Sequence, residues 1–282
     1  MPNFIDALVT SALWFVLGLL PILVIVTIQN IISRYVIPMA LQGRIARKGF
    51  YSTAVIGVPI HELSHAIMAF LFGHRVVHIC FFDFSPTHGR LGYVSHEWNP
   101  LSLRHTIGLF FIGIAPLFGV GCVVWGASLL LIPGSLDAIT AVLLDARIDE
   151  TGDILSDTLN AVWLGVDKSI LAIRIAGDAP LFPIWLLLTS AVALHATPSR
   201  ADLASAIRGA AIISIVLSVM MAIAGHFFPV GEWAMRYWIL GISIMAVVIG
   251  LSTPWWVLLL GLCLIDKSFN TSQTHSRRRL GE

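Results

Sequence analysis

His61 and His65 stand four residues apart in Pro59-Ile60-His61-Glu62-Leu63-Ser64-His65-Ala66, with Glu62 directly beside the first. On a helix that spacing turns two imidazoles to one face, where they can share a cation, and leaves the carboxylate able to reach a water bound to it. The chemistry this suits is metal-assisted hydrolysis. Zinc lowers the pKa of a bound water from about 15.7 towards about 7 and polarises the carbonyl under attack, while a carboxylate takes the proton. The chain's own His and Glu frequencies give roughly 0.006 expected occurrences of the motif, so chance is a weak rival. The expectation is a Zn2+ cofactor held by His61 and His65, with Glu62 as general base.

The motif must sit in an unusual solvent. Of 282 residues, 57% belong to the hydrophobic set and only 12% are charged, whereas soluble domains carry about a quarter charged. Several apolar runs approach the roughly 20 residues that cross a hydrocarbon core of about 30 Å. Glu62 is the only acidic residue in any of these runs, and a carboxylate at mid-span costs at least ~2.5 kcal/mol, which marks a functional site by default. The composition predicts an all-α polytopic membrane protein of about six transmembrane helices, with the lipid bilayer as partner and an inner or plasma membrane as its location. The first run, preceded by no Lys or Arg from Met1 to Asp6, reads as a retained anchor. Net charge is +1, without the basic stripe that nucleic acid requires. Arg44, Arg47, Lys48 and Arg277 to Arg279 read as cytoplasmic flanks, and Cys80, Cys122 and Cys263 as packing residues.

Along the chain, residues 1–266 form a single transmembrane domain and 267–282 a polar basic tail. Spans are predicted at Ser11 to Ile32, Thr53 to Phe72, Thr106 to Ile132, Leu181 to His195 and Ala210 to Phe228, the last fed by a helix from Ala201. Arg34 to Lys48 reads as a basic connector, and Trp238 to Ile265 as one kinked helix or a broken pair around Ser252-Thr253-Pro254. From His74 to Pro100 the texture turns β-branched and aromatic on either side of Ser85-Pro86-Thr87-His88-Gly89, which predicts a β-hairpin. Its edge near Val76 to Phe82 is suited to receiving an extended substrate as an added strand. The polar stretch from about 133 to 180 reads equally as an amphipathic helix or a solvated connector.

The chain resembles the site-2 protease family of intramembrane zinc metallopeptidases. The likeness rests on Pro59 to Ala66 in an apolar helix, on the strand-rich segment after it, and on Gly113-Ile114-Ala115-Pro116-Leu117 in the next span. It covers about half the chain, His61 to Asp202, and implies a membrane endopeptidase acting on a membrane-protein or peptide substrate. It also implies a third ligand, an Asp, from the second span after the His pair. The family's Leu-Asp-Gly and Asn-Pro-Asp-Gly settings do not occur here, and Asp202 takes that place in Pro198-Ser199-Arg200-Ala201-Asp202. Two alternatives stay open at this point: Ser199-x-x-Asp202 is also a helix capping box, and His195 is a second candidate ligand or oxyanion-stabilising group.

His74, His78, His88, His96 and His105 read as polar residues at the water interface, and Trp98, Trp163, Trp233 and Trp255 as belt or packing residues. Three other functions compete with proteolysis. One is a metal or proton transporter using the buried cluster as a transit site, although no internal symmetry supports paired broken helices. Another is a haem protein using His65 and His226. The last is a catalytically inactive scaffold of the same fold.

Overall fold

The computed structural model describes residues 4–84, 90–144, 154–224, 247 and 250–269. Its elements are mostly helical: α1 (Phe4–Gln42), α2 (Arg44–Leu71), β1 (Arg75–Cys80), β2 (Tyr93–Glu97), α3 (Leu103–Leu131), α4 (Pro133–Leu144), α5 (Ile154–Gly177), α6 (Phe182–Ala193), α7 (Arg200–Ala224) and α8 (250–269). The span count differs from the expected six. Among the described residues three helices, Arg44–Leu71, Leu103–Leu131 and Arg200–Met220, are long and apolar enough to cross a membrane. α6 has twelve residues and at about 18 Å is too short to cross by itself. The basic connector at Arg34 to Lys48 is itself helical, divided between the end of α1 and the start of α2. The polar stretch from 133 carries α4 and α5. The hairpin turn with His88, the acidic residues from Asp145 to Asp153, Trp233, His226 and the Arg277 to Arg279 cluster lie outside the described residues.

α2 starts where three backbone N–H bonds find a remote acceptor. Its N-cap, Gly43, has no side chain to offer, and the carboxylate of Asp266 on α8 accepts from Ile45 N–H at 3.0 and 3.1 Å and from Ala46 N–H at 2.9 Å. The helix ends in a Schellman turn: Gly73, at φ +80°, donates to the Phe70 carbonyl and His74 N–H to the Ala69 carbonyl. That turn delivers the chain into β1, which pairs antiparallel with β2 in a two-stranded sheet, Arg75 opposite Glu97 and Cys80 opposite Tyr93, with an irregularity between Val76 and His78.

α3 packs against both α2 and α7, and α1 against α2 and α7. Val120 and Val124 of α3 and Ile132 just past its end meet Trp185 and Val192 of α6 in one apolar core, while Phe50 and Ala54 of α2 meet Trp256 and Leu259 of α8 in another. The α3–α7 crossing is close because Gly113 presents no side chain there: a Cβ on it would run into the Asp202 carbonyl and the Ala206 methyl. This crossing sets the start of α7 against the middle of α3.

Gly113→Val is therefore expected to destabilise the detergent-solubilised protein by about 1–3 kcal/mol or more through overpacking. Gly121→Ala on the same helix, where an added Cβ has open space, is expected to leave the melting temperature unchanged or slightly raised. Equal melting of the two variants would contradict the close crossing.

Candidate metal centre

His61 and His65 share one face of α2, and each ring is held through Nδ1. His61 Nδ1 lies 2.7 Å from the carbonyl oxygen of His195, and His65 Nδ1 lies 2.7 Å from that of Ile112. A carbonyl can only accept, so each Nδ1 carries the proton, and in the neutral ring each Nε2 is left with a lone pair. The two Nε2 atoms are 3.2 Å apart. Asp202 completes the group, Oδ1 at 3.5 Å from His65 Nε2 and Oδ2 at 3.9 Å from His61 Nε2. With both rings neutral, three acceptors thus face one point, an arrangement that a cation relieves. Tetrahedral zinc, with bonds of about 2.0–2.2 Å, sets its ligand atoms about 3.3 Å apart; the Nε2 pair at 3.2 Å is near that spacing, while the carboxylate oxygens, 3.5 and 3.9 Å from one Nε2 each, would have to close in on a bound ion. The group could hold a metal ion.

The two orienting carbonyls are available because prolines release them. In a helix the Ile112 oxygen would accept from the N–H of residue 116, and Pro116 has none. The His195 oxygen follows the end of α6, where Pro198 three residues on lacks an N–H, and the Ser199 N–H goes instead to Asp202 Oδ2 at 2.7 Å. Such outer partners fix ring orientation and tautomer in metal sites generally.

Asp202 serves as cap and as cluster member at once. Ser199 N–H donates to its Oδ2, and its own N–H donates to Ser199 Oγ at 3.3 Å, a capping box at the start of α7. Oδ1 remains directed at His65. The His195 ring, in contrast, is not in the group: its Nε2 meets Thr53 Oγ1 at 3.0 Å, and Thr53 spends its hydroxyl proton on the Phe50 carbonyl. Nε2–H therefore donates to Thr53, and what His195 brings to the site is its backbone carbonyl. Of the two candidates for the third position, the structure brings Asp202 and not the His195 ring to the pair.

Two residues that the sequence reading passed over hold the break between α6 and α7. Gln29 on α1 accepts from Thr197 Oγ1 at 2.5 Å and donates to Ser252 Oγ of α8 at 2.7 Å, while Asn30 Nδ2 donates to the Pro198 carbonyl at 3.1 Å. Adjacent amides inside an otherwise apolar run were the available signal, since buried polar groups are kept only where they are bonded.

Glu62 is buried, 7% exposed, and lines a cavity of about 780 Å³ together with His61, His65 and Asp202. The hairpin forms one wall of it. Gly92 lies flat on the glutamate: a Cβ there would stand 2.8 Å from Glu62 Cγ and 2.8 Å from Val58 Cγ1. Of the histidines expected at the water interface, His78 is exposed, whereas His74 is buried and His96 lines the cavity. No protein-family model, curated protein or solved structure matches the chain.

Replacing His61, His65 or Asp202 by Ala is expected to abolish stoichiometric metal in purified protein, whereas His195→Ala, which keeps its carbonyl, is expected to retain it. Pro116→Ala restores an N–H that competes for the Ile112 oxygen, and metal affinity is expected to fall about 10- to 100-fold. Metal analysis after dialysis checks both, and metal lost from His195→Ala but kept by Asp202→Ala would reverse the assignment.

Proposed function

We propose that the chain is a zinc-dependent endopeptidase of the membrane, similar in chemistry to the site-2 proteases, multi-pass in an inner or plasma membrane, and cutting a membrane-protein or peptide substrate in or beside the bilayer. The observation that carries this reading is the convergence of two Nε2 lone pairs and a carboxylate oxygen next to buried Glu62 in one cavity among apolar helices. A donor set of two imidazoles and one carboxylate with a fourth position open is what hydrolytic zinc uses. Bound there, zinc would supply an acidified water and a polarised carbonyl.

The chain's own residues do the rest. His61, His65 and Asp202 hold and orient, and Glu62 takes the water's proton on its carboxylate and passes it to the leaving nitrogen. Burial keeps bulk water from competing for that proton. Each strand of the two-stranded hairpin pairs only with the other among the described residues, so the outer edge of β1 offers an unfolded substrate segment a ladder on which to lie extended.

In detergent or proteoliposomes, Glu62→Gln is expected to keep wild-type metal content and lose cleavage of a membrane-segment substrate by about 10²–10⁴-fold. Gly92→Val, which pushes a side chain into the space of Glu62, is expected to keep metal and lose most cleavage. Cleavage unaffected by Glu62→Gln would refute the role of the glutamate; metal or proton flux in the absence of any cleavage would favour the transporter.

A further inference from the structure

The cavity has an imidazole that the proposed hydrolysis has not used. Along β2 the side chains alternate: Tyr93, Ser95 and Glu97 are exposed, while Val94 and His96 turn inward from Gly92. Gly92 fixes one end of this inward face against Glu62. The other end is fixed by His74, which the Schellman turn places just past the end of the metal helix.

The protons of this second pair can be assigned. His74 Nε2 lies 2.9 Å from the carbonyl oxygen of His105 and must donate to it, so the neutral ring has its lone pair on Nδ1. His96 Nδ1 lies 2.9 Å from that Nδ1 and must be the donor. His96 is left with an unprotonated Nε2. That atom has no hydrogen-bond partner among the described residues, and the His96 side chain, on the inward face of β2, lines the metal cavity. Burial, followed by the neighbouring His74 and His65, holds the His96 imidazole below its ordinary pKa, and burial does the same for His74. The neutral form, with a lone pair towards the cavity, is the form at neutral pH.

We propose that His96 is a substrate-contacting residue of this cavity, its Nε2 accepting the substrate N–H adjacent to the metal, and that His74 is the positioning residue that sets its ring. The assignment rests on the metal-hydrolase reading for the nature of the ligand, an amide. Backbone N–H groups of an extended peptide need an acceptor when they leave water, and among the residues of the inward face of β2 His96 alone supplies one from a side chain.

The test uses Co2+ in the full-length protein and two small chelators, acetohydroxamate and its N-methyl analogue, which differ in the single N–H. Binding is read from the visible spectrum of the cobalt. His96→Ala is expected to keep one equivalent of cobalt and to weaken acetohydroxamate about five- to tenfold, the worth of one hydrogen bond, with the N-methyl analogue changed less than about twofold. His96→Gln, which offers an amide oxygen, is expected to recover part of the loss, and His74→Ala to show a smaller loss of the same kind. Equal weakening of both chelators, no change in either, or cobalt lost from both His96 variants overturns the assignment. Failure of the hydrolase reading appears elsewhere, as wild-type protein that binds cobalt and chelator and cleaves no peptide.

Discussion

An imidazole can present Nε2 to a cation only when its Nδ1 proton has somewhere to go, and inside a helical membrane protein nearly every carbonyl is already engaged by its own helix. The His pair of α2 meets this constraint twice, and proline answers it both times. Pro116 leaves the Ile112 oxygen without its helical donor, and Pro198, with the diversion of the Ser199 N–H to Asp202, does the same for His195. The consequence reaches both rings: tautomer, orientation and the direction of the free lone pair are set by backbone atoms of other segments.

The rest of the architecture can be understood as what keeps those segments in register. The glycine at 113 lets α7 approach until the capping box of Asp202 stands opposite His65. From the opposite side, the amides of Gln29 and Asn30 tie the break before α7 to α1 and α8, and Asp266 ties the start of α2 to α8. The Gln29–Ser252 bond is buried, where a missing partner costs about 1–3 kcal/mol. Such ties favour one arrangement of helices over the many that apolar packing alone permits, since lipid and side chain are equally oily.

The local parts of this design were legible in the sequence. Spacing of four put His61 and His65 on one face, the lone intraspan carboxylate singled out Glu62, and the β-branched run after His74 announced the hairpin, whose strands fall at Arg75–Cys80 and Tyr93–Glu97. Asp202 reads in the sequence as ligand or as cap, and in the structure it makes the capping box through Oδ2 while Oδ1 lies 3.5 Å from His65 Nε2. What could not be read was tertiary. Periodicity does not say which carbonyl a distant proline releases, so nothing in it shows that His195 meets the site through its backbone and turns its ring to Thr53. Nor does it tell an exposed histidine from one folded back onto a cavity wall, as His78 and His96 show. Among the described residues three helices, fewer than the expected six, are long and apolar enough to cross a membrane, and hydropathy does not register that α6 stops after twelve residues.

X-ray absorption at the metal edge of the purified protein reports the donor set directly. One metal per chain is expected, with a first shell of nitrogen and oxygen only, at about 2.0–2.2 Å, including the outer-shell scattering of two imidazoles. A sulfur shell at about 2.3 Å, a single imidazole, or protein that binds no metal at stoichiometric concentration would contradict it.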